Sequence, residues 1–143
     1  MKTVAYTLMG NLFISVHGKL NVSEGEFPQV LQVFRRLEYS MVRMLVITDG
    51  GGPTPVQRKE MNSALSGREM PTAVMSNDIV IRGTVTALSW FNKKIRSFPL
   101  SELDEALEYL DVSSTKFEAI QHEVESLRAE LQNSKTRGAT VGR

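Results

Sequence analysis

The chain has 143 residues, of which 41% are hydrophobic and 23% are charged, and its formal net charge at pH 7 is +1. This size and composition fit one globular domain with an appendage, and exclude a disordered or fibrous protein. A charge near zero gives no general reason to expect nucleic acid or an anionic membrane as partner. The absence of cysteine excludes disulfides, thiolate zinc sites and thiol catalysis. Because no signal peptide or membrane-spanning segment is apparent, we expect a cytoplasmic protein.

The first forty residues predict a β-hairpin followed by a helix. Thr3 to Met9 and Leu12 to His17 are β-type runs, and the two-residue connection Gly10-Asn11 between them is typical of a tight hairpin turn. An amphipathic helix then ends near Tyr39, because apolar residues recur at helical spacing. These residues are Phe27, Val30, Leu31, Phe34 and Leu37.

Strands and helices then alternate. Met41 to Thr48 is almost continuously apolar, which predicts a central strand covered on both faces. Three glycines, Gly50 to Gly52, follow it, and a helix is expected from Pro55 to Leu65. Pro71 to Ser76 predicts a further short buried strand.

The segment from Asn77 to Phe91 is ambiguous, because it is rich in β-branched residues but also places Ile79 and Trp90 on one helical face. We interpret it as a helix. Ile95 to Phe98 predicts an edge strand, and a final helix of this unit ends at Leu110. The order of elements predicts an α/β domain over residues 1–111. Its sheet of about five strands begins with the hairpin and is otherwise mostly parallel, with helices covering it.

Residues 112–132 predict a separate amphipathic helix whose apolar residues alternate at steps of three and four, as in a coiled coil. We call this predicted helix α5 and its five apolar residues the α5 seam: Phe117, Ile120, Val124, Leu127 and Leu131. Two interpretations stay open, since the α5 seam is suited to packing on its own domain or to forming a homodimer. Residues 133–143 predict a solvated, disordered basic tail.

The glycines Gly50 to Gly52 raise the question of a phosphate-binding loop. A Walker loop needs Lys and a hydroxyl residue directly after its last glycine, but Gly52 is followed by Pro53. The spacing also does not fit a dinucleotide-binding fingerprint. The favoured interpretation is a strand-to-helix turn in which Thr54 caps the helix and Pro55 lies in its first turn. Anion binding by the free N–H groups of the helix is the weaker alternative.

Catalytic or metal-binding residues are not indicated. His17 and His122 are interpreted as ordinary surface or boundary residues, and Asp49, Glu60 and Asp78 show no spacing typical of a metal site or an acid/base pair. We therefore expect no enzymatic activity, no metal and no cofactor.

A short basic and aromatic cluster is weak evidence for nucleic acid, because an acidic helix lies beside it in the sequence. The cluster comprises Arg82, Trp90, Phe91, Lys93, Lys94 and Arg96. We expect no nucleic-acid partner.

Three stretches carry a resemblance to a known family. They are LVITDGGG, PTAVMSNDIVIRGTVTALSWF and IRSFPLSELDEALEYL, in which Phe98 ends a strand and Glu105 to Leu110 follow the pattern E-A-x-x-W/Y-L. In these and in the order of elements, residues 1–111 resemble the STAS domain of anti-sigma-factor antagonists, and most of all its uncharacterised STAS-like bacterial branch.

The resemblance implies a protein-binding module, with the partner contacting the turn after the central strand and the start of the next helix. Asp49 resembles the acidic residue that ends the family's central strand, and Thr54 lies near the position of the family's phosphoacceptor. The family motif Asp-Ser-Ser/Thr-Gly is absent, so phosphorylation of Thr54 is only a possible feature. Some STAS-like proteins also resemble lipid-binding CRAL-TRIO domains.

Together these observations predict a noncatalytic interaction module, a scaffold or regulator in bacterial signalling, with an unidentified protein partner and a homodimeric state. The expected partner-binding residues are Asp49, Gly50, Gly51, Gly52, Thr54, Gln57 and Arg58. A helix N-terminus with unpaired donors would suit an acidic or phosphorylated partner, and a bulky residue at Gly51 is expected to weaken binding without loss of the fold. The alternative is a small-ligand-binding protein, for a lipid or an anion.

Overall fold

The computed structural model describes residues 2–36, 42–66, 68–89 and 94–141. Its centre is a five-stranded sheet in the order β1-β2-β3-β4-β5. The strands are β1 (Val4–Met9), β2 (Leu12–His17), β3 (Arg43–Thr48), β4 (Thr72–Met75) and β5 (Ile95–Phe98). The helices are α1 (Phe27–Arg36), α2 (Pro55–Ala64), α3 (Ile79–Ser89), α4 (Leu103–Tyr109) and α5 (Phe117–Val141), with a short 3-10 turn at Ser114–Lys116 before α5.

The opening hairpin is confirmed. β1 and β2 are antiparallel, with Met9 opposite Leu12, and Gly10 turns the chain at a φ of +56°, which residues with a side chain rarely adopt. β2, β3, β4 and β5 are all parallel to their neighbours. The chain is therefore the predicted α/β fold with a mostly parallel sheet, and β3 lies at its centre.

Two apolar layers cover the two faces of the sheet, because successive residues of a strand point to opposite sides. On one face, even-numbered residues of β2 such as Ile14 pack with α4 and α5. On the other face, Phe13 packs with Phe34 of α1 and, at the edge of the layer, Met61 of α2. α3 packs along β5.

The C-terminal helix packs on its own domain. Four residues of the α5 seam, Ile120, Val124, Leu127 and Leu131, are buried in the layer formed with the sheet and α4, and Phe117 packs against that layer. In the structure the α5 seam therefore packs on its own domain, which is one of the two interpretations left open by the sequence. The helix also continues to Val141, whereas the sequence predicted a disordered tail from Asn133.

The ambiguous segment is helical, as interpreted, but its buried face differs from the expected one. Val85 is buried, whereas Ile79 at the start of α3 is exposed. α1 ends at Arg36 among the described residues. Four residues that the sequence placed in predicted elements, Leu37, Tyr39, Met41 and Trp90, lie outside the described residues.

Candidate functional site

The loops that follow β2, β3 and β4 lie at one edge of the sheet, because these strands are parallel and end on the same side. Two of the loops are joined by backbone hydrogen bonds. Gly51 N–H donates to Gly18 O at 2.8 Å, and Val22 N–H donates to Gly52 O at 3.0 Å. We call this edge the rim and define it by the residues Leu20, Asp49 to Gly52, Val56 and Asp78 to Val80.

The glycines of the rim serve close packing of the two loops. A Cβ atom on Gly51 would lie 2.0 Å from Leu20 O, a distance that no side chain tolerates, and Gly50 has a φ of +134°. The N–H of Gly51 is already bonded to Gly18, so it is not offered to a phosphate. The expectation that Gly51 accepts a bulky residue with the fold intact is therefore wrong.

The N-terminus of α2 is capped by side chains of its own chain. Thr54 Oγ1 accepts from Gln57 N–H at 3.2 Å, the Gln57 side chain accepts from Thr54 N–H at 2.9 Å, and Pro55 has no N–H to offer. The predicted cap is thus confirmed. Because the cap uses the N–H groups of Thr54 and Gln57, this helix start offers fewer free donors to an acidic or phosphorylated partner than the sequence suggested.

The expected partner-binding residues divide into two groups in the structure. Asp49 and Arg58 are exposed, and Gly50, Gly52 and Thr54 are partly exposed. Gly51 and Gln57 are buried, and the Gln57 amide donates to Val22 O at 3.0 Å. These last two residues hold the loops together, so a partner has no direct access to them.

Large apolar side chains are exposed on the rim, which the sequence analysis missed. The exposed fractions are 55% for Leu20, 70% for Val56, 84% for Ile79 and 75% for Val80. The available signal was the position of Leu20 in the loop after β2, and of the other three residues in the first turns of α2 and α3.

The loop before α3 completes the rim. Asp78 Oδ1 accepts from Val80 N–H at 2.8 Å and from Ile81 N–H at 3.2 Å, so Asp78 caps α3. A Cβ atom on Gly50 would lie 3.4 Å from Asp78 Oδ2, which places this loop against the glycines. Asp78 therefore serves a structural purpose, and in the described ranges no three His, Cys, Asp or Glu residues are grouped to hold a metal ion.

His17 is buried beneath α1 and α2, with 5% of its surface exposed, so its interpretation as a surface or boundary residue is wrong. Its Nε2 lies 3.1 Å from Ser15 Oγ, and its Nδ1 has no hydrogen-bond partner within the described ranges. Burial lowers the pKa of His17 to about 4, against an opposing attraction from Glu26, so the imidazole is neutral at neutral pH. The signal was the alternation along β2, which places Ser15 and His17 on the same face as Phe13.

A small, partly open cavity of about 50 Å³ lies beside His17, between the sheet and the helices α1 and α2. Its wall is apolar apart from Ser15 and His17, and includes Phe13, Val30 and Met61. A cavity of this volume is too small for a lipid chain.

A carboxylate fastens the start of α1 to β1. Glu26 accepts from Thr3 N–H at 2.8 Å, from Thr3 Oγ1 at 2.6 Å and from Ser23 Oγ at 2.8 Å. Partial burial raises the pKa of Glu26, but these hydrogen bonds outweigh burial and hold it below its usual value. We call Thr3, Ser23 and Glu26 the α1 clasp.

An open groove of about 770 Å³ runs between β1, α1 and α5. Glu26 and Glu130 both line it, and Lys2 pairs with Glu130. Two carboxylates facing one cation make this groove unsuited to a free anion.

The basic and aromatic cluster is only partly described. The guanidinium of Arg96 lies over the rings of Phe98 and Tyr109, at 5.2 Å and 5.8 Å from their centroids. These contacts hold the Arg96 side chain against Phe98 of the same strand and against Tyr109 of α4. Trp90, Phe91 and Lys93 lie outside the described residues.

None of the described helices has both the length and the apolar character needed to cross a bilayer.

Comparison with known proteins bears on the fold. Neither a family model nor a curated protein matches the sequence. Among solved structures, the chain is similar to an uncharacterized protein of the DUF3478 family with a SpoIIAA-like fold from Shewanella loihica PV-4, at a TM-score of 0.50 over 75% of this chain and 91% of that chain. The chain has a SpoIIAA-like fold. This confirms the STAS-like architecture predicted from the sequence, and at 14% identity it shows the fold alone.

Proposed function

We propose that this SpoIIAA-like protein is a noncatalytic interaction module, a scaffold or regulator in bacterial signalling, and that it binds a protein partner through the rim. The observation that carries the proposal is the exposure of apolar side chains on the rim. Leu20, Val56, Ile79 and Val80 are four of the five large apolar side chains that are exposed among the described residues. Exposed apolar surface gathered in one place is typical of interaction sites.

The surroundings of these side chains fit a protein partner. Asp49, Arg58 and Arg82 are exposed charged residues at the rim or in the first turns of α2 and α3, which it borders. Protein interfaces commonly have an apolar centre and a polar, charged border, and the border contributes to orientation and specificity. The hydrogen bonds of Gly51 and Gly52 with the loop after β2 hold the backbone beneath this surface in place.

A noncatalytic role agrees with the placement of the titratable groups. The imidazole of His17 is enclosed, Asp78 caps α3, and Glu26 is bound in the α1 clasp. We place this role in the cytoplasm, in keeping with a sequence without cysteine.

The alternative, a lipid or anion carrier of the same fold, has less support. The cavity beside His17 has a volume of about 50 Å³, and the open groove is lined by Glu26 and Glu130. The N-terminus of α2 is capped by Thr54 and Gln57.

Homodimerisation through the α5 seam would require α5 to leave the sheet, because the seam is buried in the monomer. Phosphorylation of Thr54 stays a prediction. Thr54 is partly exposed, and a phosphate on it would lie at the positive end of α2.

The rim is tested by affinity capture and cross-linking in an extract of the source organism. The variant Ile79→Ser/Val80→Ser removes exposed apolar surface, so it should fold normally and lose the captured protein. Leu8→Ser is the matched control, because Leu8 is 45% exposed at the opposite end of the strands, opposite Phe13. Capture that survives the rim variant and is lost with Leu8→Ser would refute the rim as the binding surface.

A further inference from the structure

We propose that the unpaired side of β1 binds an extended, basic segment of a partner protein and adds it to the sheet as a further strand. β1 is the first strand in the order β1-β2-β3-β4-β5, so only one of its sides is paired. The open groove of about 770 Å³ lies along the other side and is lined by Val4, Ala5 and Tyr6 of β1. None of these residues belongs to the rim.

The register of the hairpin determines which backbone groups of β1 are unpaired. In a hairpin closed by two residues, Met9 and Leu12 exchange hydrogen bonds, so Leu12 and every second residue along β2 face β1. The alternate residues of β2 face β3, in keeping with the Asp49 N–H that donates to His17 O at 3.2 Å. In β1 the odd-numbered residues therefore pair with β2, and the even-numbered residues direct their N–H and C=O groups outward.

Two of these outward donors are used within the chain, and the next one is not. Lys2 N–H donates to Ser134 Oγ of α5 at 3.0 Å, and Val4 N–H donates to Glu26 of α1 at 3.3 Å. Tyr6 is the following outward residue, and the described part of the chain supplies no partner for its N–H or C=O. A strand in the groove would form hydrogen bonds with both groups, which is how peptides bind by β-augmentation.

β1 lacks the features that commonly protect an edge strand from pairing. Protected edge strands are usually short, or carry charged residues or proline. β1 has six residues, VAYTLM, without charge or proline, and its register with β2 has no bulge. β5, at the other end of the sheet, has four residues including Arg96, and α3 packs along it. This difference favours β1 as the edge that accepts a strand.

The charge of the incoming segment follows from the walls of the groove. α1 contributes Glu26 and α5 contributes Glu130, and Lys2 pairs with Glu130. Partial burial raises the pKa of Glu26, but the hydrogen bonds from Thr3 and Ser23 lower it by more, so the carboxylate is ionised at neutral pH. Among the described residues no Lys or Arg pairs with Glu26.

A Lys or Arg of the incoming segment would supply the missing positive charge beside Glu26. A second copy of this chain would instead bring the same two carboxylates, Glu26 and Glu130, to a groove that already holds them. Charge complementarity therefore favours a basic segment of a different protein over self-association at β1.

The test is an NMR titration of the full chain with the acetylated and amidated peptide Val-Lys-Val-Lys-Val. The peptide should shift the Tyr6 amide signal in a saturable manner and slow its hydrogen exchange, because this N–H gains a partner. The same peptide N-methylated at every residue cannot donate hydrogen bonds and should bind at least about tenfold more weakly. Val-Glu-Val-Glu-Val should also bind more weakly. An unchanged Tyr6 signal, or equal binding by the N-methylated peptide, would overturn the proposal.

Two protein variants locate the added strand. Leu8→Pro removes the next outward N–H without removing a hydrogen bond to β2, and should weaken peptide binding about tenfold. Glu130→Gln removes a carboxylate from the groove and should weaken binding about threefold, which covers the case in which Leu8→Pro does not fold. Its control is Glu125→Gln, because Glu125 is exposed on the same helix and does not line the groove.

Equal affinities of the Glu130→Gln and Glu125→Gln variants for the peptide would show that the groove does not select a basic segment, and would refute the proposal. Sedimentation of the full chain distinguishes the remaining occupant. A dimer in which the Tyr6 amide already exchanges slowly without peptide would place a second copy on β1, and would refute it as well.

Discussion

The two faces of the sheet are held to their helices by different kinds of interaction. The face under α4 and α5 is closed by apolar side chains, with Leu107 and Leu110 almost fully buried. The face under α1 and α2 also has apolar residues, but it contains the buried His17 and a small cavity, and its helices are held by hydrogen bonds of Glu26 and Gln57. We expect the first face to respond to loss of apolar area, and the second to respond to pH and to changes of single polar or glycine residues.

The largest effect is expected from truncation after Val112, which removes α5 from the first face. Burial of Ile120, Val124, Leu127 and Leu131 contributes roughly 6–12 kcal/mol, which is comparable to the whole stability of a domain, about 5–15 kcal/mol. The truncated chain should therefore lose its cooperative unfolding transition in circular dichroism. A truncated chain that folds as a monomer, while the full chain is a dimer, would instead identify the α5 seam as the dimer interface.

The contact between the loop after β2 and the loop after β3 should be lost when Gly51 gains a side chain. In Gly51→Ala the new Cβ would meet Leu20 O at 2.0 Å, and the loops would have to separate. We expect a loss of about 3 kcal/mol in the free energy of unfolding, measured in urea. The control is Gly52→Ala, since a Cβ on Gly52 meets no atom within 4 Å, and it should change stability by no more than about 0.5 kcal/mol. Equal stability of the two variants would contradict this account of the glycines.

Acid should weaken the second face through His17. The unfolded chain binds a proton at His17 below pH 6.5, whereas the folded chain does so only near pH 4, so the unfolded state holds more protons between these values. Stability should therefore fall as the pH decreases through this window, by about 3 kcal/mol in total. Urea titrations at a series of pH values measure this loss in the free energy of unfolding.

The same pH series on variants separates His17 from other groups. His17→Leu should lack the loss between about pH 6.5 and pH 5. His122→Gln, which replaces an exposed histidine on α5, should retain it. A slope in His17→Leu as steep as that of the unaltered protein would show that another group is responsible.

The smallest effect is expected at the α1 clasp. Glu26→Gln weakens the hydrogen bonds from Thr3 and Ser23, and should lower stability by about 1 kcal/mol at neutral pH, since the carboxylate is partly exposed. The folded pKa of Glu26 is lowered, so its contribution is present above the unfolded pKa and is lost as the pH falls through the folded value. Glu24→Gln, at an exposed position two residues away, is the control and should be neutral. A loss of the same size in both variants would argue against a specific role for Glu26.

The order of elements was predictable from the sequence, because the apolar pattern directly reports which segments have a buried side. The hairpin, the central strand and the cap at Thr54 all follow from local chemistry, and the structure has them. What α5 covers was not predictable, because an amphipathic stripe indicates that a surface is needed and does not say which one.

The rim includes several of the residues expected from the sequence to bind a partner, but its exposed apolar side chains and buried Gly51 were not expected. Asp49 and Arg58 are exposed as expected, but Gly51 and Gln57 are buried, because the β2–α1 loop lies against them, and such long-range loop packing leaves no periodic signal in the sequence. His17 was missed for a related reason. A histidine at a strand end is ordinarily at the boundary, and only the position of α1 and α2 above the sheet encloses it.

The junction of the two loops has a consequence for amide hydrogen exchange. Loop amides usually exchange quickly, but the N–H groups of Gly51 and Val22 donate to Gly18 O and Gly52 O at 2.8 Å and 3.0 Å, which are ordinary distances for backbone hydrogen bonds. They should exchange only when the two loops part, together with the helices that they lead into. A partner would then meet a surface already in its final shape, and little conformational entropy would be lost on binding.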